Sequence, residues 1–399
     1  MFDSLKPLPA DPILGLMAAY RVDTNPQKID LGVGVYKDEQ GNTPVMRAVK
    51  SAEARLLQSQ SSKSYVSPAG SAAFNALAAG LVLGDNLTHT LGDRRVTFQT
   101  PGGCGGLRLA AEFIQKVRPG SKILVSDPTW ANHIPLLGEA GLQIETYPYY
   151  DYQHHGIRFD DMMTRIGNAG PGDLVLLHGC CHNPCGADLT REQWQAVASL
   201  AQARGFTPFI DLAYQGLGDG LAEDSYGVRL LAESLPELIV VSSCSKNFGL
   251  YRERTGALTV ITGNAAATQA AASQIASTAR GMYSMPPDHG ASVVAEILAD
   301  SELNGDWALE LTEVRERING LRSALVIELG KQGIDRDFGF IEQEKGMFSF
   351  LGLTVDQVQT LINQYSIYLV DSSRINIAGI NSSNIEYLAQ SIAAVLKSG

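Results

Sequence analysis

Short apolar segments alternate with segments of helical character along most of the chain, and this alternation constrains the fold more than any other feature. The segments that we interpret as strands are Lys122–Ser126, Gly141–Tyr147, Asp173–His178, Thr207–Asp211 and Leu238–Ser242. Helical periodicity lies between them, as in Gln193–Arg204. Strands that alternate with helices form a largely parallel sheet covered by those helices. The sequence therefore predicts an α/β fold.

The last part of the chain has a different pattern. A long amphipathic helical pattern runs from about Leu309 to Leu329, and short apolar runs follow at residues 346–350 and 367–370. The chain has 399 residues, which is longer than a domain with a single hydrophobic core usually is. Two domains are therefore expected. We therefore predict a large α/β domain and a smaller second domain, preceded by a proline-punctuated arm.

The charge balance disfavours several classes of function. The chain has 31 Lys and Arg against 42 Asp and Glu, a net charge of −11, and no basic stripe to bind a phosphate backbone. The sequence has no signal-peptide pattern and no apolar run that would span a bilayer. The odd number of cysteines does not suggest a disulfide framework: Cys104, Cys180, Cys181, Cys185 and Cys244. We expect a cytoplasmic protein that binds neither nucleic acid nor membrane.

A single lysine directly follows the last predicted strand. Lys246 lies in the segment Ser242–Gly256, eight residues before a second cation, Arg254. Partial burial near another cation lowers the pKa of an amine, and the unprotonated amine can form a Schiff base with a carbonyl cofactor. Most lysines, however, lie in solvated loops. This segment alone leaves the catalytic and the solvated lysine equally open.

The residues around this lysine suit a phosphate group. Ser243 and Ser245 offer two hydroxyls, and Arg254 offers a guanidinium that matches a phosphate dianion. The glycine-rich turn Pro101–Gly106 opens a helical stretch, where the backbone can approach an anion and the helix N-terminus favours it. Such a turn is weak evidence by itself, because tight turns need no ligand. Together these residues indicate a phosphate site.

A carboxylate and a phenol follow another predicted strand. Asp211 ends the run Thr207–Asp211, and Tyr214 stands three residues later. Ligands of open α/β sheets bind outside the carboxyl ends of the strands, so both side chains should face the ligand crevice. Asp211 could keep a pyridine nitrogen protonated, which makes the ring an electron sink, and Tyr214 could bond a phenolic oxygen of that ring. The plain alternative for Asp211 is a helix N-cap.

The segment His178–Gly186 is rich in cysteine and histidine, which suggests zinc. The spacing lacks two Cys-x-x-Cys pairs, and adjacent cysteines share one ion poorly, so no metal site is predicted. Asn183, in the turn Asn-Pro-Cys-Gly, instead offers an amide side chain to a ligand.

Several motifs, in family order, carry a resemblance to known proteins: Asp11–Leu14, Leu31–Asp38, Gln99–Gly103, Asp127–His133, His178–Pro184, Ser245–Tyr251 and Tyr283–Pro287. The chain resembles the class I aspartate and aromatic amino-acid aminotransferases, and most of all the bacterial aromatic-amino-acid transaminases. The resemblance implies the α/β fold of the pyridoxal-phosphate-dependent transferases, with a mostly parallel seven-stranded sheet flanked by helices and a smaller α+β domain. The implied boundaries are an arm over 1–12, a small domain over 13–45 and 311–399, and a large cofactor-binding domain over 46–310.

The resemblance also implies roles for individual residues in binding pyridoxal 5'-phosphate. Lys246 corresponds to the Schiff-base lysine and proton shuttle, and Asp211, supported by His133, to the partner of the ring nitrogen. Tyr214 and Asn183 would bond the phenolic oxygen, and Trp130 would stack on the ring. The implied phosphate-binding residues are Gly103, Cys104, Ser243, Ser245 and Arg254, with Tyr65 from a second subunit. The implied substrate-binding residues are Gly34, Trp130, Asn183, Arg280, Met285 and Arg374.

Two of these substrate residues carry charges that suit carboxylates. The resemblance implies that Arg374 binds the α-carboxylate, and that Arg280, from the neighbouring subunit, binds the distal carboxylate of aspartate or glutamate. Met285 favours an aromatic substrate, because a flexible thioether packs well against a ring, whereas Val35 and Lys37 resemble the aspartate-preferring pattern. Cys104 and Cys185 depart from the family, which usually has hydroxyl residues there, and a thiol is the poorer hydrogen-bond donor.

The implied activity is ping-pong transamination by a homodimer with shared active sites. Aromatic amino acids (Phe, Tyr, Trp), aspartate or both would donate the amino group to 2-oxoglutarate. The alternatives are a strict aspartate aminotransferase and a pyridoxal-phosphate lyase of the same fold. A non-catalytic binding module is disfavoured, because a lysine, an acid and an anion-binding segment all follow predicted strands.

Overall fold

The computed structural model describes residues 2–7 and 12–397 of the chain. Residues 1 and 8–11 of the predicted N-terminal arm, and the last two residues of the predicted small domain, lie outside the described residues. The described residues form two compact units, Met1–Thr43 with Ile318–Gly399 (the terminal unit) and Pro44–Arg317 (the central unit). The functional domains predicted over 13–45 with 311–399 and over 46–310 stay a prediction.

The strands are short. They are β1 (Ile29–Asp30), β2 (Arg95–Pro101), β3 (Lys122–Asp127), β4 (Gln143–Pro148), β5 (Tyr150–Asp151), β6 (Gly156–Ile157), β7 (Leu174–His178), β8 (Thr207–Leu212), β9 (Leu238–Ser243), β10 (Thr255–Ile261), β11 (Phe348–Phe350), β12 (Ile367–Tyr368) and β13 (Arg374–Asn376). The five strands predicted from apolar runs correspond to β3, β4, β7, β8 and β9.

Helices account for most of the remaining regular structure. They are α1 (Pro12–Val22), α2 (Arg47–Ser59), α3 (Ala72–Leu83), α4 (Asp85–Leu91), α5 (Gly102–Val117), α6 (His133–Gly138), α7 (Phe159–Ile166), α8 (Arg191–Arg204), α9 (Tyr226–Ser234), α10 (Ala265–Tyr283), α11 (His289–Ala299), α12 (Ser301–Gly330), α13 (Phe340–Gln343), α14 (Val355–Tyr365) and α15 (Ile385–Lys397). Two short 3₁₀ helices lie at Gly92–Arg94 and Ile377–Gly379. The helix predicted over 309–329 is the larger part of α12.

A seven-stranded sheet runs through the central unit in the order β2-β10-β9-β8-β7-β3-β4. Strands β3, β4, β7, β8 and β9 pair in parallel, and β10 alone runs antiparallel to both of its neighbours. The middle strands are apolar on both faces, and Val175, Leu176, Phe209 and Ile210 are fully buried, as expected where helices cover both sides. The predicted α/β fold with a mostly parallel seven-stranded sheet is confirmed.

Strands β2 and β10 were not predicted, because buried polar residues interrupt their apolar pattern. The Thr97 and Thr259 hydroxyls bond each other across the two strands at 2.9 Å. Gln99 is fully buried, and its amide both accepts from the backbone of Ser71 and donates to the carbonyl of Pro287. Thr97, Thr259 and Gln99 are therefore tolerated in the core because each of the three has a hydrogen-bond partner.

Helix α5 packs closely on the sheet because its first turns are rich in glycine. A Cβ on Gly106 would lie 2.7 Å from Cγ1 of Val241 in β9, closer than packed carbon atoms approach. Further along the helix, Leu107, Ala110 and Ala111 are buried in the same core. The close approach holds the helix N-terminus next to the carboxyl end of β9.

The terminal unit contains small sheets and a buried arginine. Strands β1 and β12 pair in parallel, and β11 pairs antiparallel with β13. Arg322 in α12 is 1% exposed, and its guanidinium donates to the carbonyls of Ile341, Gly346 and Phe348. The carboxylate of Glu344, also buried, lies 3.8 Å from Nη1. The guanidinium thus ties α12 to the segment that leads into β11.

Among the helices of the described residues, none has the length and apolar character needed to cross a membrane.

Replacement of Arg322 by methionine should strongly destabilise the protein. The change would leave the Glu344 carboxylate buried without its cation, and breaking such a pair costs about 3–5 kcal/mol of unfolding free energy. Urea unfolding followed by circular dichroism measures the loss. Arg204→Met, at an exposed position in the last turn of α8, is the matched control and should stay within about 0.5 kcal/mol of wild type. A loss as small as the control's would contradict the structural role of Arg322.

Candidate active site

The predicted functional residues of the central unit gather at one edge of its sheet. Trp130 follows β3, Asn183 follows β7, Tyr214 follows β8 and Lys246 follows β9, while Asp211 lies within β8 near its end. Because these strands are parallel, their carboxyl ends meet at the same edge. Sequence positions more than a hundred residues apart therefore contribute to one site.

Lys246 is half-buried at this edge, with its Nζ 4.6 Å from the centre of the Tyr214 ring. Burial lowers the pKa of its ammonium group, and the charge of Arg254 acts in the same direction. The negative charge of Asp211 opposes both effects without cancelling them. A larger fraction of this amine is thus unprotonated at neutral pH than for a solvated lysine, so Lys246 can act as a nucleophile or a base.

Asp211 is 8% exposed and accepts a hydrogen bond from Nε2 of His133 at 3.0 Å. Burial by itself would raise the pKa of the carboxyl group, but the hydrogen bond from His133 and the charge of Lys246 outweigh it, and the pKa lies below its ordinary value. Asp211 is therefore a carboxylate at neutral pH, facing the same edge as Lys246.

A chain of hydrogen bonds leads from Asp211 into the protein. Nδ1 of His133 bonds the hydroxyl of Thr129 at 2.8 Å, and that hydroxyl bonds Nε2 of His178 at 3.1 Å. Burial holds the pKa of His178 well below its ordinary value, so its ring is neutral. Neither Thr129 nor His178 was predicted to belong to this chain of hydrogen bonds. The polar spacing of Thr129 and His133 after β3 is the signal that could have indicated it.

Asn183 and Tyr214 place two polar groups beside each other. Nδ2 of Asn183 donates to the Tyr214 hydroxyl at 3.5 Å. Asn183 is 7% exposed, and its Oδ1 accepts no hydrogen bond from the described residues. The carboxylate of Asp188 accepts from the backbone of Cys181 and His182 and so holds the loop that carries Asn183. This pair can serve a ligand oxygen on one side of the site.

The N-terminus of α5 meets a cation and two hydroxyls. A Cβ on Gly102, which has a φ of 70°, would lie 2.5 Å from Nη2 of Arg254, so only glycine allows the guanidinium to lie there. Arg254 donates to Ser245 Oγ at 3.5 Å, and the Ser245 backbone donates to Ser243 Oγ at 3.2 Å. Helix N–H groups, a guanidinium and two hydroxyls together suit a phosphate dianion. We call this group, Gly102–Gly106 with Ser243, Ser245 and Arg254, the anion cradle.

The remaining predicted residues of this edge are Gly103 and Cys104 within the anion cradle and Trp130 next to His133. Gly103 lies in the first turn of α5, where an added Cβ would be 3.3 Å from Cβ of Ser243. Cys104 is half-buried, and its sulfur makes a weak contact, at 3.9 Å, with Nδ2 of Asn132. The Trp130 ring meets the His133 ring edge-on, with 5.2 Å between centres.

Arg374 and Gly34 belong to the terminal unit. Arg374 is 7% exposed, donates from Nη2 to the Gly32 carbonyl at 2.7 Å and stacks over the Phe348 ring at 4.4 Å. A Cβ on Gly34 would lie 2.9 Å from Cζ of the same ring. Phe348 thus orients the guanidinium and requires glycine at position 34. A guanidinium held in this way can bind a carboxylate bidentately.

Tyr65, Arg280 and Met285 lie elsewhere on the central unit. Tyr65 is 92% exposed, Arg280 is exposed in the last turn of α10, and Met285 is half-buried. Within residues 12–397, no hydrogen bond or ion pair joins these three side chains to Lys246, Asp211 or the anion cradle. The structure of the single chain therefore does not bring them into this group.

Cysteine side chains of the segment after β7 lie next to other polar side chains of the protein. Sulfur atoms of Cys180 and Cys181 and a carboxylate oxygen of Asp224 lie within 4.8 Å of one another. The Asp224 carboxylate already accepts hydrogen bonds from the backbone of Gly216, Gly218 and Asp219, so it organises the loop after Tyr214. Cys185 instead contacts Nδ1 of His182 at 3.1 Å.

Known proteins are similar to this chain in sequence and in fold. The model of the family "Aminotransferase class I and II" matches residues 26–392. The aromatic-amino-acid aminotransferase of Pseudomonas aeruginosa is 48% identical over 99% of this chain and 98% of its own length. The aspartate aminotransferase of Haemophilus influenzae is 46% identical over 99% of this chain and all of its own.

Solved structures agree with these matches. The aromatic-amino-acid aminotransferase of Burkholderia pseudomallei, described as covalently bound to pyridoxal phosphate, superposes with a TM-score of 0.97 at 43% identity, covering 99% of both chains. The cytoplasmic aspartate aminotransferase of Saccharomyces cerevisiae has a TM-score of 0.96 at 34% identity, covering all of this chain and 99% of its own. The chain therefore belongs to the class I and II aminotransferase family.

Proposed function

We propose that the protein is a pyridoxal-5'-phosphate-dependent aminotransferase that moves the amino group of aromatic amino acids, aspartate or both to 2-oxoglutarate by a ping-pong mechanism. The observation that carries the proposal is the grouping of a half-buried amine, a buried carboxylate and an anion cradle at one sheet edge. Relatives named for aspartate and for aromatic amino acids match the chain almost equally well, which supports this pair of donors.

The chemistry of the residues fits pyridoxal phosphate at each end of the molecule. The anion cradle suits its phosphate, the Asp211 carboxylate suits its ring nitrogen, and the Tyr214 hydroxyl with Oδ1 of Asn183 suits its phenolic group. Trp130 offers an aromatic face for the ring. When bound, the cofactor supplies an aldehyde that condenses with amines and a ring that accepts electrons from the substrate carbon.

Lys246 holds the cofactor and moves the proton in this proposal. Its lowered pKa makes an unprotonated Nζ available near neutral pH. With a substrate amino acid bound, Nζ would be free to remove the α-proton and to return a proton later in the transfer. Tyr214, whose ring lies 4.6 Å from Nζ, orients the lysine.

Asp211 keeps a proton on the ring nitrogen. Its carboxylate stays ionised because His133 donates to it, and the chain through Thr129 to His178 fixes the orientation of the His133 ring. A neutral His178 at the end of this chain adds no competing positive charge. Burial of the group strengthens the attraction between the carboxylate and a protonated nitrogen.

Two arginines would select the substrate. Arg374 would bind the α-carboxylate, beside Gly34 and Phe348. Arg280 and Tyr65 would come from a neighbouring subunit of a C2 homodimer, Arg280 to the distal carboxylate and Tyr65 to the phosphate. Their exposure in the single chain supports this arrangement. An aromatic substrate would require Arg280 to turn toward solvent, because an unpaired buried guanidinium is costly.

We further propose a cytoplasmic location. None of the five cysteines forms a disulfide within the described residues, as expected in a reducing compartment. The alternatives of a strict aspartate aminotransferase and of a lyase with the same fold are separated by a substrate panel. A transaminase converts 2-oxoglutarate to glutamate in step with each donor, whereas a lyase makes no glutamate.

Lys246→Ala should abolish nearly all turnover, because the loss of a positioned proton carrier alone costs on the order of 10²–10⁴-fold. Borohydride reduction of the wild-type protein with pyridoxal phosphate should attach the cofactor to Lys246, as measured by peptide mass spectrometry. Lys116→Ala, an exposed lysine in the last turn of α5, should keep wild-type activity. Attachment to a different lysine would reject the assignment.

Asp211→Asn should leave the cofactor bound but slow the first half-reaction with glutamate by at least about a hundredfold, because a neutral amide does not hold the ring nitrogen protonated. Stopped-flow absorbance measures that rate. Asp173→Asn is the control, since Asp173 precedes β7 at the opposite edge of the sheet and its turn contact with the Gly170 backbone can be kept by an amide. Near-normal rates in Asp211→Asn would remove Asp211 from the mechanism.

Arg280→Ala should lower kcat/KM for aspartate by roughly 2–5 kcal/mol, because the distal carboxylate would lose its charged partner. Phenylalanine should lose far less. Steady-state kinetics with both donors and 2-oxoglutarate measure the difference. Equal losses for the two substrates would show that Arg280 has a structural role, and a wild type inactive with phenylalanine and tyrosine would reject the aromatic preference.

A further inference from the structure

An exposed segment of the central unit carries Tyr65. We call residues 61–66, which lie between α2 and α3, the Tyr65 loop. The Tyr65 ring is 92% exposed, so packing within its own chain does not fix its position. The position of the Tyr65 ring therefore depends on the backbone conformation of the loop.

Both ends of the Tyr65 loop are attached to the segment that follows α10. On one side, Nε2 of Gln60 donates to the Asp288 carboxylate at 3.2 Å. On the other, the backbone N–H of Val66 donates to the Met285 sulfur at 3.4 Å. Asp288 is itself held by the Ser292 hydroxyl at 3.1 Å. Residues 284–288 are thus a platform for the loop.

Gln99 fixes this platform to the chain beyond the loop. It is fully buried, accepts from the Ser71 backbone at 2.9 Å and donates to the Pro287 carbonyl at 2.6 Å. A Cβ on Gly70 would lie 2.4 Å from Cβ of Gln99, so the glycine lets the chain pass closely. The hydrogen bond from Val66 to Met285 lies next to Tyr65 in the chain. It is flanked by stronger hydrogen bonds, at Gln60 on one side and at Ser71 on the other.

The platform also continues directly from the helix that carries Arg280. Ser284 ends α10 with a φ of 65°, and the Met285 backbone N–H donates back to the Tyr283 carbonyl at 2.7 Å. Arg280 lies in the last turn of that helix. The platform therefore connects two residues that we propose act in a neighbouring subunit, Tyr65 and Arg280.

We propose that Met285 is a positioning residue whose sulfur holds the Tyr65 loop and so acts on the active site of the neighbouring subunit, not on that of its own. The proposal rests on the proposed function, in which Tyr65 reaches the neighbour's cofactor phosphate. A thioether suits this place, because it fills apolar space and still accepts a long, weak hydrogen bond. A leucine would fill the same space without accepting it.

Hydrogen–deuterium exchange of the holoenzyme tests the contact directly. Met285→Leu should speed exchange of the Val66 amide by about three- to fivefold, the effect of losing one weak hydrogen bond. Met285→Gln, which restores an acceptor, should recover slow exchange. Met282→Leu, at an exposed position one turn of chain away, is the matched control and should exchange like wild type. Unchanged exchange in Met285→Leu would overturn the proposal.

Hybrid dimers test on which subunit Met285 acts. In one arrangement a Lys246→Ala, Met285→Leu double variant pairs with wild type, and in the other Lys246→Ala pairs with Met285→Leu. Each hybrid has one intact lysine, so the pyridoxal phosphate concentration at half-maximal turnover reports on that site alone. The first arrangement should require about three- to fivefold more cofactor than the second, because its working site faces the altered loop.

The possible outcomes separate the two proposals. Equal cofactor requirements in both arrangements indicate a general structural role for Met285, and a larger requirement in the second indicates action on its own site; either result overturns the inference. The hybrid of wild type with Lys246→Ala is measured alongside and should keep about half of the wild-type turnover. A departure from this value counts against the proposed function of Lys246 and not against Met285.

Discussion

The close contact between helix α5 and strands β9 and β10 is the constraint on which the candidate active site depends. A Cβ on Gly106 would lie 2.7 Å from the Val241 side chain, and one on Gly256 would lie 2.7 Å from the Gly102 carbonyl carbon. Glycine at these positions therefore brings the N-terminus of α5 against the strand that leads to Lys246. If α5 packed further from the sheet by the width of a side chain, Ser243 and Ser245 would lie too far from its N–H groups to bind the same anion.

The pKa values of Lys246 and Asp211 are both lowered, although burial acts on them in opposite directions. Burial favours the neutral form of each group, and it prevails at Lys246, where the positive charge of Arg254 adds to it. At Asp211 the hydrogen bond from His133 reverses the effect. The result is a reactive amine and a stable carboxylate at one edge of the sheet. Without the hydrogen bond from His133, burial would raise the pKa of Asp211 with less opposition.

The sequence predicted the parts of the site that depend on strand order and loop position. Lys246, Asp211 and Tyr214 follow apolar runs, and parallel pairing then brings them together. The contribution of Thr129 was not predicted, because the Thr129–His178 hydrogen bond joins the loop after β3 to β7 and only the polar spacing of Thr129 and His133 pointed to it. Strands β2 and β10 were missed because buried polar residues interrupt their apolar pattern, and the hydrogen bond between Thr97 and Thr259 joins residues 162 positions apart. The roles proposed for Tyr65 and Arg280 came from family resemblance alone, since no hydrogen bond or ion pair within residues 12–397 joins either side chain to Lys246, Asp211 or the anion cradle.

The two cysteines that replace the usual hydroxyl residues differ in what surrounds them. Cys185 is fully buried and lies 3.1 Å from Nδ1 of His182, whose Nε2 bonds the Ser126 hydroxyl at 3.0 Å. Burial lowers the pKa of His182 to about 3, so its ring is neutral and has a lone pair for the thiol. Cys104 instead makes a long contact with Asn132. A thiol at position 185 can therefore replace a hydroxyl as the donor to His182. At position 104 the anion cradle must rely on its backbone amides, its two serines and Arg254.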